Sequence, residues 1–146
     1  MKFASLAAAA LPLAPAFAQT TPLTLTYDPR FDDASLPMTD VACSDGPNGF
    51  ITKGLDTLGS LTPFPNVGGV YTVTGWDSPE CGTCYEVTYG GDSMIQILAV
   101  DTAPAGFTVS KEAMDALTGG QANILGRVDV MSVQVDAAAC RPVIIF

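Results

Sequence analysis

The 146-residue chain contains no histidine. Without an imidazole it cannot build a Ser-His-Asp or Cys-His nucleophile arrangement, nor a zinc site with a histidine ligand. It also has no P-loop, calcium-loop or dinucleotide-binding motif. Carboxylate chemistry and ligand binding remain as candidate activities, and we expect no cofactor and no metal.

Basic residues are scarce as well. Six Lys and Arg stand against fifteen Asp and Glu, which gives a formal net charge of -9. Such a chain lacks the basic surface that attracts nucleic acids and anionic membranes. We therefore expect neither nucleic acid nor a membrane as a partner, and favour a neutral or cationic one.

The N-terminus has the features of a secretory signal peptide. An apolar run over residues 3–17 follows a lysine, and Ala16-Phe17-Ala18 has the small-x-small pattern that signal peptidase cleaves. A membrane anchor is the alternative, but the run is short for a span and two prolines interrupt it. We predict a signal peptide over residues 1–18, followed by one domain over residues 19–146.

The interpretation of the four cysteines depends on whether the chain is exported. They are Cys43, Cys81, Cys84 and Cys140. Export makes an even cysteine count a disulfide framework. The alternatives are a thioredoxin-type redox site and a four-sulfur zinc site. Glycine inside the Cys-x-x-Cys segment and the β-rich sequence after it suit a tight turn, and the spacing brings only one pair of sulfurs close in sequence. We favour two structural disulfides, for which spacing alone leaves three pairings open.

The rest of the chain predicts a mainly β domain. Segments rich in β-branched and aromatic residues alternate with glycine and proline, and they predict strands at 23–27, 70–74, 85–89, 94–101 and 127–136. In the last segment the apolar alternation shifts phase after Val130, which indicates a bulge or burial on both faces up to Val135.

Helices are few. Residues 110–117 predict one, with Ser110 as N-cap and an apolar stripe of Ala113, Met114 and Leu117. A second short helix is predicted over residues 53–58. Several short strands with few helices favour a β-barrel or a sandwich.

Six motifs follow one another along the chain: Tyr27-Asp28-Pro29, Val41-Ala42-Cys43-Ser44-Asp45-Gly46, Phe64-Pro65-Asn66-Val67-Gly68-Gly69, Gly75-Trp76-Asp77-Ser78-Pro79, Cys81-Gly82-Thr83-Cys84 and Gly126-Arg127-Val128-Asp129. In content and order they resemble the cerato-platanin family of small secreted fungal proteins. The resemblance extends from about residue 23 to residue 141. Several long motifs in the right order make it specific.

The resemblance implies a six-stranded double-psi β-barrel with one or two short helices, related to the first domain of expansins and to barwin. It also implies disulfides between Cys43 and Cys81 and between Cys84 and Cys140. One departure is the apolar end Val143-Ile144-Ile145-Phe146, which family members usually lack.

The resemblance further implies a function without enzymatic activity. Such a protein binds chitin and N-acetylglucosamine oligomers, loosens cellulosic wall material without hydrolysis, and is sensed by plants as an elicitor. The expected partners are these glycans, cellulosic wall polysaccharide and a plant receptor. We expect a monomer that is extracellular or in the fungal cell wall. A surface-active coat protein is an alternative class, because 48% of the chain is hydrophobic, although the eight-cysteine hydrophobin pattern is absent.

Asp101 is the main candidate for glycan binding. It ends the 94–101 strand just before a loop, so we expect its carboxylate at the mouth of a cleft. By resemblance it matches the aspartate shared with expansins and related glycoside hydrolases. The structural alternative is an Asx turn in which Asp101 caps the backbone of residues 102–103.

Tyr27 and Asp28 are the next candidates, because they also follow a strand. Hydrolysis of a glycoside needs two carboxyl groups, about 6.5 to 9.5 Å apart in inverting enzymes. The enzyme alternative is therefore an inverting endoglycanase that uses Asp101 and Asp28. For Asp28 we favour a structural role, in a turn at Asp28-Pro29-Arg30.

Three further positions complete the candidate set. Gly82 and Thr83 lie between two cysteines, where a rigid backbone could offer hydrogen bonds to a glycan. Trp76, the only tryptophan, could stack on a sugar, but its position shortly before Cys81 favours packing in the core or against a disulfide. Turn positions are assigned to three polar residues beside glycine or proline: Asp45, Asn66 and Asp77.

Overall fold

The computed structural model describes residues 7–11 and 22–141. Most of the predicted signal peptide and the apolar end at residues 143–146 lie outside the described residues. Within the described ranges, no helix has both the length and the apolar character needed to cross a membrane.

Six strands form a closed barrel: β1 Leu23–Tyr27, β2 Val67–Val70, β3 Cys84–Tyr89, β4 Ser93–Thr102, β5 Phe107–Val109 and β6 Arg127–Val135. Their order around the barrel is β1-β5-β2-β4-β3-β6. The pairs β1/β5 and β2/β4 are parallel, and the other four are antiparallel. Closure satisfies both edges of every strand in the barrel. The predicted mainly β fold, a six-stranded barrel with two short helices, is confirmed.

Two short α-helices, α1 Lys111–Thr118 and α2 Ala122–Leu125, lie between β5 and β6. The Ser110 hydroxyl accepts a hydrogen bond from the Ala113 N–H at 3.0 Å, so the predicted N-cap is confirmed. The predicted stripe of Ala113, Met114 and Leu117 is buried against the barrel.

The second helix, predicted over residues 53–58, is wrong. A 3-10 turn at Ile51–Lys53 ends at Gly54, whose φ of 81° is left-handed, and another begins only at Leu58. A left-handed residue interrupts the helical path, so the segment cannot continue as one helix.

The strand predicted at 70–74 is also misplaced, since β2 is Val67–Val70 and contains Gly68 and Gly69. Both glycines are needed inside the strand. A Cβ atom on either one would lie 2.3 Å from a backbone carbonyl oxygen of a neighbouring strand. The three-residue strand β5 carries too short a pattern for sequence analysis and was not predicted.

The phase shift in β6 has a different cause from the predicted one. The N-terminal half of β6 pairs with β1 and the C-terminal half with β3, without a register shift in either pairing. Val128 and Val130 are buried, but Val133 is 55% exposed on the outside of the barrel. Burial on both faces is therefore wrong for this strand.

Two disulfides fix the loops to this barrel. Cys43 bonds Cys81, and Cys84 bonds Cys140. These are the pairs that the resemblance implies. The first bond joins the segment before β2 to the loop before β3, and the second joins β3 to the C-terminal 3-10 turn Ala137–Cys140.

Candidate functional site

The carboxylate of Asp101 is buried and accepts three hydrogen bonds. Asp101 is only 7% exposed. Its Oδ1 accepts hydrogen bonds from the backbone N–H groups of Ala42 and Thr102, both at 2.9 Å, and its Oδ2 accepts one from Arg30 Nη2. Asp101 thus ties the end of β4 to two loops. The expected open carboxylate at a cleft mouth is wrong, and the structure resembles the backbone-capping alternative more closely.

Arg30 is the residue of this candidate site that sequence analysis missed. It lies in the 3-10 turn Pro29–Asp32, and Asp28 caps this turn by accepting from the Arg30 N–H at 3.0 Å. The Arg30 Nε also lies 3.4 Å from Asp28 Oδ2, while the far end of the guanidinium contacts Asp101. One arginine therefore joins the two predicted carboxylates. The only sequence signal was a basic residue, rare in this chain, two positions after Asp28.

This arrangement bears on the hydrolase alternative. A glycosidase needs one carboxyl group that is free to protonate the glycosidic oxygen. Asp101 is buried and accepts three hydrogen bonds, from Arg30 and two backbone N–H groups, so its carboxylate is poorly placed to reach a glycosidic oxygen. Among the described residues, no group of three or more Cys, Asp or Glu side chains could hold a metal ion.

Tyr27 points to a different part of the molecule. Its hydroxyl donates to Asn123 Oδ1 at 3.0 Å, on helix α2. The structure therefore brings Asp28 and Asp101 together through Arg30, but it directs the Tyr27 hydroxyl towards the helices.

The backbone at Gly82 and Thr83 is used within the fold. The Gly82 N–H donates to the Ala99 carbonyl at 2.9 Å, and the Ala99 N–H donates to the Thr83 carbonyl at 2.9 Å. The N–H and the hydroxyl of Thr83 both donate to the Glu80 carbonyl. Strand β4 and the preceding turn thus satisfy both N–H groups within the fold, and a contact of Gly82 or Thr83 with a glycan stays a prediction.

Trp76 is exposed, which corrects the prediction that it packs in the core. The residue is 63% exposed, and its Nε1–H donates to Asp45 Oδ1 at 2.6 Å. An exposed carboxylate is thus the partner of the indole, so the ring stays at the surface. The next residue, Asp77, has a left-handed φ of 55°, and its carboxylate accepts from the Asn48 N–H at 2.8 Å. The Asp45 bond orients the indole, and the Asn48 bond ties the loop that carries it to the segment of Asp45.

A continuous segment connects Trp76 with the Arg30 cluster. Ala42 binds Asp101, the Cys43 N–H donates to the Val100 carbonyl at 3.1 Å, and Asp45 binds Trp76. The Ala42 and Cys43 contacts lie at the C-terminal end of β4, and Asp45 follows two residues later on the same segment. We call the exposed groups that this segment links, Asp28, Arg30, Asp45 and Trp76, the β4-end surface.

The Trp76–Asp45 bond predicts an unusual acid titration. The hydrogen bond from the indole, aided by bonds within the Asp45 backbone and from Ser44, holds the pKa of Asp45 below its usual value. We expect the fluorescence of the single tryptophan to change on acidification with a midpoint below that of an ordinary aspartate. Asp45→Asn keeps an oxygen acceptor but removes the charge, so this variant should show no transition.

Far-UV circular dichroism over the same pH range separates this local transition from acid unfolding. A midpoint at the ordinary aspartate value, or the same transition in Asp45→Asn, would contradict the proposed bond.

The geometry defines a class of protein: a small, acidic, disulfide-bonded β-barrel with an oriented surface aromatic and an arginine-bridged carboxylate pair. Its family follows from sequence. The cerato-platanin family profile matches residues 23–142, and the chain belongs to this family.

Known relatives are similar over most of their length. The chain is 44% identical over 144 residues to the "Heat-stable 19 kDa antigen" of Coccidioides posadasii, covering 96% of this chain and 98% of that relative. The crystal structure of cerato-platanin 3 from M. perniciosa superposes with a TM-score of 0.79 at 49% identity, covering 84% of this chain and 100% of that one. The solution structure of the fungal elicitor Cerato-Platanin gives 0.71 at 42% identity, covering 80% and 95%.

Proposed function

We propose that this protein is a secreted wall-active protein that binds chitin and N-acetylglucosamine oligomers, loosens cellulosic material without hydrolysis, and elicits plant defence. The observation that carries the proposal is the exposed Trp76, whose indole Asp45 holds in one orientation. An oriented aromatic face can stack on the apolar face of a sugar ring with little loss of conformational freedom on binding.

The polar groups of the Arg30 cluster suit a neutral sugar. Arg30 and Asp28 have side chains that are 42% and 43% exposed, so they can donate to and accept from hydroxyl groups. Asp101 lies beneath them and holds Arg30 in place. That Asp101 itself contacts glycan stays a prediction, as do direct contacts by Tyr27, Gly82 and Thr83.

Secretion and elicitor activity have separate support. Two disulfides fit an oxidising, extracellular location, and the N-terminal sequence has the pattern of a signal peptide. One structural relative is described as a fungal elicitor. Secretion into the medium or wall, and a plant receptor that responds to the folded protein, follow as parts of the proposal.

Trp76→Ala is expected to weaken binding of N-acetylglucosamine oligomers about two- to tenfold, the equivalent of about 0.5–1.5 kcal/mol of aromatic stacking. The melting temperature should not change, because the side chain is mostly exposed. Isothermal titration calorimetry on the secreted, oxidised protein measures its affinity for chitin-derived and for cellulose-derived oligomers.

Ile124→Ala is the matched control. Ile124 is also an exposed apolar residue, 83% exposed, but lies on α2. Equal affinities for Trp76→Ala and the unmodified protein would remove the β4-end surface from the proposal.

The same samples test for hydrolysis. We expect no sustained release of reducing ends from chitin or glucan. If release occurred and both Asp101→Asn and Asp28→Asn abolished it while remaining folded, the inverting endoglycanase alternative would replace the non-catalytic function.

A further inference from the structure

A second concave site lies away from the β4-end surface. It is an open cavity of about 330 Å³, a volume within the usual range for small-molecule sites. Its walls include Phe64, Asn66, Gln96 and Ala139. None of the described residues that line it is charged, which favours an uncharged ligand.

Two side-chain amides in this cavity have unused hydrogen-bonding capacity. Within the described ranges, the side chains of Asn66 and Gln96 make no hydrogen bond to another protein group, and both residues are partly exposed. Each amide offers an N–H₂ donor and a carbonyl acceptor. The cavity thus combines polar groups that can donate and accept with the apolar wall of Phe64 and Ala139.

The backbone that carries these amides is held firmly. The Asn66 N–H donates to the Pro63 carbonyl at 2.8 Å, and the Asn66 carbonyl accepts from the Leu98 N–H at 3.0 Å. Gln96 lies within β4, where it pairs with Glu86 of β3. A site whose backbone is fixed by hydrogen bonds needs little reorganisation to bind a ligand.

This cavity and the Arg30 cluster lie at opposite ends of the parallel strand pair β2/β4. Asn66 precedes β2, whose first residue pairs with Leu98, whereas Asp101 pairs with Gly69 further along. Gln96 and Asp101 are five residues apart on β4, which corresponds to about 16 Å.

We infer that the cavity is a second saccharide subsite, which takes an N-acetylated, uncharged sugar residue. An acetamido group carries one N–H donor and one carbonyl acceptor, so it complements a side-chain amide, and a sugar ring face fits against Phe64 and Ala139. The inference shares its ligand class with the proposed function but concerns a different location. A protein with a sugar site at each end of a strand pair can contact two glycan segments at once.

Nuclear magnetic resonance of the ¹⁵N-labelled, oxidised protein tests the subsite directly. The side-chain N–H₂ signals of Asn66 and Gln96 report on the cavity, and the Trp76 indole N–H signal reports on the β4-end surface. On titration with the tetramer of N-acetylglucosamine we expect the two amide signals to shift in a saturable way. The glucose tetramer, which lacks acetamido groups, should shift them more weakly.

Gln96→Leu removes the amide at similar volume. It should raise the dissociation constant measured from the Asn66 side-chain signal about two- to tenfold. Gln134→Leu is the matched control, an exposed glutamine on β6 that does not line the cavity. Backbone signals away from Gln96 show that each variant is folded.

The possible results are distinct. The subsite is supported if the cavity amide signals shift, if Gln96→Leu weakens these shifts, and if Gln134→Leu leaves them unchanged. A shift of the Trp76 signal without the amide signals overturns the subsite and leaves the proposed function in place. Amide shifts without a Trp76 shift support the subsite and overturn the assignment of binding to the β4-end surface. If neither the cavity amide signals nor the Trp76 signal shifts, both the subsite and the assignment of binding to the β4-end surface are overturned.

Discussion

Asp101→Asn is expected to lower the free energy of unfolding by about 2–4 kcal/mol, because it breaks a largely buried, charge-assisted network. The asparagine carbonyl oxygen can still accept from the Ala42 and Thr102 N–H groups. Its N–H₂ group, however, then faces the guanidinium of Arg30, where two donors oppose each other. Urea denaturation measures this loss, and we expect the m value, the slope of the unfolding free energy against urea concentration, to equal that of the unmodified protein.

A double-mutant cycle assigns that loss to the ion pair. Arg30→Gln should cost less than Asp101→Asn, because the Arg30 side chain is half exposed, and the double variant should cost clearly less than the sum of the two. Asp28→Asn is the control. Its carboxylate is exposed and lies 3.4 Å from Arg30, so about 1 kcal/mol or less is expected.

Asp101→Asn also separates two roles for Asp101, a structural one and a direct one in glycan binding. If it loses stability while glycan affinity per folded molecule is retained, Asp101 acts by holding the loops and Arg30. Should Asp101→Asn prove as stable as Asp28→Asn and yet bind glycan more weakly, the carboxylate must leave Arg30 to meet the ligand.

The sequence predicted those elements whose patterns are local. Strands β1, β3, β4 and β6 were predicted within two residues at each end, because β-branched residues stand between glycines and prolines. Helix α1 was predicted from its N-cap and apolar stripe. The barrel itself came from the family resemblance, since closure depends on pairings between distant strands that no local pattern encodes.

Elements that depend on close approach of the backbone were missed. Gly68 and Gly69 look like a turn in the sequence, yet they are central in β2, where neighbouring strands leave no room for a side chain. The same glycines would suit a loop equally well. Only the packed barrel distinguishes the two.

The candidate site shows the same limit. Asp28 and Asp101 were predicted, but their connection through Arg30 brings together positions 71 residues apart. Trp76 was placed in the core or against a disulfide because it lies shortly before Cys81. Its partner Asp45 is distant in sequence, and the Cys43–Cys81 disulfide and the Asn48–Asp77 bond bring the two loops together.

Removing either disulfide is expected to cost about 4 kcal/mol. Loop separations of 38 and 56 residues give nearly equal losses in the chain-entropy model, so loop length does not distinguish the two bonds. They should differ in which surface each one supports. Cys43 is two residues before Asp45, whereas Cys140 lines the cavity beside Gln96.

Paired alanine variants test this division, with unfolding in urea as the common measurement. Cys43→Ala with Cys81→Ala should alter the emission of Trp76 and abolish its low-pH transition, because Asp45 loses its anchor. Cys84→Ala with Cys140→Ala should leave that emission unchanged in the folded protein and shift the side-chain amide signals of Asn66 and Gln96. If both variants disturbed both surfaces equally, the disulfides would stabilise the barrel as a whole, and neither bond would have a specific role in positioning a binding surface.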